Sequence, residues 1–318
     1  MIKQEFWQTH FWSKARSFKI IRALGAIYRG TLRLKHYLLS NFLCPYYAFN
    51  AKYKKTKKEP YDFGELYISL TSYPVRIKTA YYTICSLLTQ TFPANRIILT
   101  LTEQEFPHLE ENLPKEILDM RAKGIEILWA SDNLKPHNKY FYSMQKYPKA
   151  TIITADDDIL YPKNTIKKLI ESYRRHPNAV HGLCTDKLSN NNSTIPYSKA
   201  VKCYDTCILE PRNDLMIEGF AGALYPPNSL PIQAFNATLI KKCSLNADDL
   251  WLKYMELIKG TPVVCAAKYK DPIVISKVQG TALNQTNSIL GQNDIQQANI
   301  IKEFSYFDFA KAILTEIS

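Results

Sequence analysis

From residue 66 to residue 160, short apolar, β-branched runs alternate with segments of helical periodicity, and that alternation limits the fold more than any other feature of the chain. Residues 66–71, 96–102 and 126–129 and the run from Thr151 read as strands. Residues 79–90, 113–123 (closed by Gly124), 139–146 and 165–176 read as helices between or after them. Strands separated by helices pair in parallel through right-handed crossovers, which predicts an α/β fold with a mostly parallel sheet flanked by helices. Ligands of such sheets bind beyond the carboxyl ends of the strands. After residue 176 the pattern loosens. Residues 188–197 are polar and Asn-rich and read as a mobile loop, 246–260 read as a helix, and 293–317 look amphipathic, with Ile301, Phe304, Phe307 and Ile313 available for docking. No internal repeat is evident.

The strand at Thr151 ends in Asp156, Asp157 and Asp158, followed by Ile-Leu-Tyr-Pro. In extended backbone, side chains two apart point the same way, so Asp156 and Asp158 are expected to converge while Asp157 faces away. Two hard oxygen ligands suit a divalent cation that also touches phosphate. The plainer reading is a helix cap for 165–176, but one Asp would suffice and the helix starts several residues later. His137 and His181 have no partners at metal-ligand spacing and read as structural.

Charge is unevenly placed. The 318 residues carry a net +12, and residues 1–60 hold thirteen Lys and Arg against two Glu, leaving the rest close to neutral. Apolar residues recur in this arm at spacings of three and four, among them Phe18, Ile21, Leu24, Tyr28, Leu34 and Leu38. A helix here resembles one lying in anionic lipid headgroups, so an anionic membrane surface is an expected partner and nucleic acid is not. The same face could instead pack on the protein's own body or on a partner protein. Residues 37–51 are uncharged but too short to span a bilayer and contain Pro45, and no secretory apolar region with a cleavage site is present. The lysine run 52–58 reads as a solvated linker. The expected location is cytoplasmic, peripheral on the inner face of the cell membrane. Seven cysteines without a C-x-x-C pair suit buried thiols in a reducing compartment, with Cys203 and Cys207 a weak helical pairing. The expected divisions are 1–60 as arm and linker, 61–275 as catalytic domain and 276–318 as closing segment.

Five segments together resemble nucleotide-sugar-dependent glycosyltransferases of the GT-A fold, most nearly the bacterial family 2 type that builds lipopolysaccharide, capsule or related glycans. They are Tyr67-Ile-Ser-Leu-Thr-Ser-Tyr-Pro-Val-Arg-Ile77, Ser86-Leu-Leu-Thr-Gln-Thr-Phe-Pro93, the Asp156–Asp158 block, the stretch from Gly219 to Gly222, and Ala247-Asp-Asp-Leu-Trp-Leu252. The resemblance spans roughly residues 65–300, and the order of the segments carries it. It implies a nucleotide pocket lined by Thr71, Ser72, Tyr73 and Arg76, with Lys139 in reach of the diphosphate. Asp156 and Asp158 match the D-x-D motif that holds Mn²⁺ or Mg²⁺ against the donor, a UDP-sugar foremost. Asp157 stands in for either neighbour if the register slips by one. Asp249 takes the role of the base that accepts the acceptor's proton, and Asp248 positions the acceptor or tunes Asp249. The alternative for both acids is a first-turn position favoured by the helix dipole. Gly219 and Gly222 allow close backbone approach to donor or acceptor, or mark a tight turn. The acceptor implied is a glycan or lipid-linked sugar, and a lone acidic base points to inversion. Asp248 stands where many relatives have Glu.

Three rival readings fit the residues less well. A sugar nucleotidyltransferase normally has a Gly-rich phosphate loop after the first strand, and Thr71-Ser-Tyr-Pro-Val-Arg76 has no glycine. A non-catalytic assembly factor has no need of both acidic motifs. A nucleic-acid binder would have only the arm to use.

Overall fold

The structure is a computed structural model that describes residues 19–190, 193–203, 209–268, 273–275 and 291–317. Its centre is a seven-stranded sheet: β1 (Leu66–Thr71), β2 (Arg96–Thr102), β3 (Ile125–Ala130), β4 (Thr151–Ala155), β5 (Val180–Gly182), β6 (Ala223–Tyr225) and β7 (Val263–Cys265). Across the sheet the order is 3-2-1-4-6-5-7, and only β6 runs antiparallel to its neighbours. The mostly parallel α/β sheet expected from the alternation is therefore the fold observed. The bounds of β1 and β2 coincide with the apolar runs, because strands covered on both faces must be apolar almost throughout.

Helices α1 (Lys19–Ala51), α2 (Ile77–Leu88), α3 (Lys115–Asp119), α4 (Asn138–Lys146), α5 (Thr165–Arg175), α6 (Ala237–Cys243), α7 (Asp248–Lys259), α8 (Gln292–Glu303) and α9 (Phe309–Leu314) complete the molecule. Alternate residues of β1 feed different cores: Leu66, Ile68 and Leu70 join the cluster that includes α2 and α5 residues, while Tyr67 joins Ile98 and Ile152. A further core gathers Tyr140 of α4, Trp251 of α7, Ile300 of α8 and Phe309 of α9. Gly124 ends the 3₁₀ turn after α3 at φ +90, where a glycine is at ease and other residues are strained.

Several expectations change. Residues 188–197 are not simply a loop, because Ser189–Asn190 and Ser193–Thr194 pair as two short antiparallel strands and 197–199 form a 3₁₀ turn. The lysine run is not a free linker: the Thr56 amide donates to the Lys123 carbonyl at 3.0 Å and the Lys57 amide to Ala94 at 2.8 Å. In the tail, Phe304 and Ile313 dock as expected, but Ile301 is 43% exposed and Ile300 is the buried residue. A one-residue error in phase, about 100° around the helix, accounts for that. The six described cysteines are buried and in no disulfide, while Cys207, residues 1–18 and 276–290 lie outside the described residues.

Candidate active site

The backbone leaves the extended conformation after Ala155, so the three aspartates form a turn rather than a strand end. Strict alternation therefore does not govern them. Asp157 is not turned away from the site but is its buried anchor. Ser72 Oγ donates to one of its oxygens at 2.6 Å, Arg76 donates to the other at 3.1 Å, and Thr83 Oγ1 donates to its carbonyl at 2.9 Å. The Arg76 guanidinium also reaches Asp158 at 3.1 Å, so one cation ties two carboxylates to the start of α2. Burial, reinforced by Asp158 and opposed by Arg76, pushes the Asp157 carboxyl up to about 7. Asp156 is the outward member: its side chain is 33% exposed and pairs with Lys139 Nζ at 2.8 Å.

Tyr161 joins this turn to the next segment. Its hydroxyl accepts from the Asp156 amide at 2.8 Å and donates to the Phe220 carbonyl at 3.0 Å. Phe220 lies in the 3₁₀ turn Gly219–Ala221, which is bonded to the start of α7. There the Gly219 amide donates to Asp249 Oδ2 at 2.9 Å. A Cβ on Gly219 would stand 2.4 Å from Asp249 Oδ1 and 3.3 Å from Lys139 Nζ. The close approach that Gly219 permits is thus to the protein's own carboxylate. Gly222 differs, since it has φ +100 and open space for a Cβ at ordinary contact distance, so a turn conformation requires it. Neither glycine lines the cavity.

Lys139 binds the acidic segments to one another. Its buried ammonium sits 2.8 Å from Asp156 and 2.7 Å from Asp248. Burial alone would favour its neutral form, but Asp156, Asp248 and Asp249 outweigh burial and hold it charged. Burial likewise opposes the Asp248 charge, yet Lys139 and His137 keep its carboxyl below the usual value. Asp249 is pushed well above the usual range, first by burial and then by the Asp248 charge, against the pull of Lys139. Two neighbouring acids at one helix start therefore differ in basicity. The helix dipole, which favours both anions, does not decide the matter.

Sequence reasoning missed a second cluster on the same wall. Lys202 pairs with Asp186 and, at 3.1 Å, with Glu218, which also accepts from the Tyr197 hydroxyl at 3.3 Å. Burial, then Glu218, push the Asp186 carboxyl up to about 8. Glu218 adjoins Gly219, but nothing in the local sequence marks its partners. His137 and His181 are structural, as expected: His137 contacts the Ser244 carbonyl at 2.7 Å and His181 contacts Ser172 Oγ at 2.9 Å.

These groups share one cavity of about 930 Å³ beyond the carboxyl ends of the central strands. Thr71, Ser72, Tyr73, Arg76, Lys139, Asp156, Asp157, Asp158, Asp248 and Asp249 all line it, with Tyr197, Lys202 and Glu218. Its size falls within the roughly 300–1,000 Å³ range of small-molecule sites. Among the described residues, no three His, Cys, Asp or Glu side chains are grouped to hold a metal by themselves. The donor set still fits a hard cation that takes one or two carboxylates and completes its shell with water and substrate phosphate.

No family model matches the chain, and no curated protein matches it. Among solved structures it is similar to residues 1–349 of TarS from S. aureus in complex with UDP, at 14% identity over 65% of this chain and 59% of that one, with a TM-score of 0.40. It thus spans less than two thirds of that chain. It is also similar to the mannosyltransferase PcManGT from Pyrobaculum calidifontis in complex with GDP-Man and Mn²⁺, at 10% identity over 91% and 78% of the two chains, with a TM-score of 0.49. A third likeness is to the inositol-1-phosphate CTP transferase from T. maritima, at 13% identity, 63% and 84% coverage and a TM-score of 0.35. The sheet itself, seven-stranded, mostly parallel and flanked by helices, agrees with the GT-A fold expected from the sequence.

Proposed function

We propose that this chain is a nucleotide-sugar-dependent glycosyltransferase acting on a glycan or lipid-linked acceptor. One observation carries the reading. A single cavity at the ligand edge of a parallel sheet brings an acidic turn suited to a metal–diphosphate together with a helix-start carboxylate of raised basicity. Asp156 and Asp158 would hold Mn²⁺ or Mg²⁺, which when bound neutralises charge on the departing nucleoside diphosphate. Thr71, Ser72 and Tyr73 line the same wall at the end of β1 and would receive the nucleotide. Arg76 keeps the acidic turn in shape through Nη1, which meets both aspartates, and its side chain also lines the cavity where the donor would sit.

Asp249 would accept the proton of the acceptor hydroxyl as that oxygen bonds to the anomeric carbon. The bond from that carbon to the donor phosphate breaks, its electron pair leaves with the diphosphate, and the configuration inverts. The raised proton affinity of Asp249 makes its carboxylate a stronger base than an ordinary one. Asp248, held ionised against Lys139, sustains that affinity by repulsion.

The test is a screen of UDP-, GDP-, CMP- and dTDP-sugars, with and without Mn²⁺, for binding and slow hydrolysis. One donor should bind in a metal-dependent way, and Asp249→Asn should keep that binding while losing transfer. Failure of every donor to bind, or release of pyrophosphate from a nucleoside triphosphate and a sugar phosphate, would overturn the reading.

A further inference from the structure

The long helix α1 has two faces of different fate. Ser40, Cys44, Tyr47 and Ala51 are buried, and the last three join the core shared with α2. Leu34, Leu38, Phe42, Tyr46 and Phe49 are exposed, Phe42 by 75% and Phe49 by 60%. At 3.6 residues per turn these two sets lie on nearly opposite sides of the helix. The sequence left open whether the apolar face packs on the body. The structure shows that the body takes one face and leaves a second apolar stripe uncovered.

We infer that this stripe docks on an anionic lipid surface. Cations rim it: Lys163 Nζ lies 5.4 Å from the centre of the Tyr46 ring and Lys52 Nζ lies 5.6 Å from that of Phe49. Lys35 and Lys54 are also exposed, at the two ends of the stripe. Aromatic and aliphatic side chains seated at the acyl boundary, with ammonium groups beside them at headgroup level, satisfy both halves of this pattern. A second copy of the chain covers it poorly, because Lys35, Lys52, Lys54 and Lys163 around the stripe would face their own copies. A transmembrane placement does not suit a helix whose other face is packed on protein, and no described helix is long and apolar enough to cross a membrane.

Docking would also place the cavity. Tyr47 Oη donates to the Tyr161 carbonyl at 3.3 Å, and the Val274 amide donates to His36 Nδ1 at 3.4 Å. These bonds fix α1 to the two short paired strands, Ile159–Leu160 and Ile273–Val274, of which the first directly follows the three aspartates. Lipid held by the outer face of α1 therefore holds the acidic turn at the membrane surface.

The experiment is sedimentation of the full chain with phosphatidylcholine vesicles, with and without phosphatidylglycerol, for the parent and for the Phe42→Ser/Phe49→Ser variant. The parent should bind the anionic vesicles, release with rising salt, and bind about tenfold more tightly than the variant. Hydrolysis of a soluble sugar donor should be equal in the two proteins. Vesicle binding requires no donor, so this result stands or falls separately from the proposed reaction. Equal vesicle binding by parent and variant, or no binding by either, would overturn the inference. So would a concentration-dependent dimer of the parent that the variant abolishes, since the stripe would then cover a second copy.

Discussion

The amide of Gly219 donates to the carboxylate of Asp249 across thirty positions of sequence, and the missing side chain of the glycine is what lets the carboxylate sit there. A methyl group 2.4 Å from Oδ1 cannot be accommodated by a small rotation, because the amide on the same residue holds Oδ2. Gly219→Ala should therefore displace the base while the sheet stays intact. A misplacement of about 1 Å can cost on the order of 10²-fold in rate. Transfer rate and circular dichroism measured on the same sample check this, and an alanine variant of parental rate would refute the placement of Asp249 as base.

Asp249→Asn should lower transfer by roughly 10²- to 10⁴-fold, the usual worth of a general base. The pH profile is the sharper measurement. Asp249 holds its proton to a pH well above the usual carboxylate range and must lose it to act, so kcat/KM should rise with pH through that raised value and then level. The asparagine variant should lose this limb.

Removing the cation between the acidic segments should be costly. In Lys139→Met, Asp156, Asp248 and Asp249 would face one another in a site whose lysine is only 5% exposed. Breaking a buried pair from one side costs about 3–5 kcal/mol. Without the lysine, repulsion and burial both raise the carboxyl pKa values in the folded state. The deficit should therefore be largest at neutral pH and shrink as acid protonates the carboxyls, which urea unfolding at about pH 5 and about pH 8 would show.

Helix α7 also buries a pair away from the cavity. Lys253 and Glu256 are 0% and 2% exposed and 3.7 Å apart, and neither Lys253 Nζ nor Glu256 Oε2 has a hydrogen-bond partner among the described residues. Burial, opposed by Lys253, pushes Glu256 up to about 7 from 4.5. The folded state binds that proton more tightly than the unfolded state does. Stability from this group is thus complete below about pH 4.5 and lost as pH rises to about 7. Lys253→Met combined with Glu256→Leu should stabilise the protein by about 1–4 kcal/mol, with the largest gain above pH 7. Thermal melts across this interval test it.

Periodicity located β1 to β4 but not β5, β6 and β7, which lie where the pattern loosens. The runs at Leu66–Thr71 and Arg96–Thr102 had to be apolar on both faces to lie between helix layers, and that requirement is written locally in the side chains. The aspartates after Ala155 were legible for the same reason, since a buried strand that stops in three carboxylates has reached an edge. Their individual duties were not legible, because a turn replaced the assumed extension and handed Asp157 to Ser72 and Arg76.

Tertiary structure alone decided the pairings across the chain: Tyr161 with Phe220, Gly219 with Asp249, Lys139 with Asp248, and Lys202 with Asp186 and Glu218. It also decided which face of α1 meets the body and which meets the surroundings. Local composition sets what each segment must bury, and so which elements form. Proton affinities and contacts at the site depend on groups tens of residues apart, and only the crossover connections of the sheet bring those groups within bonding distance.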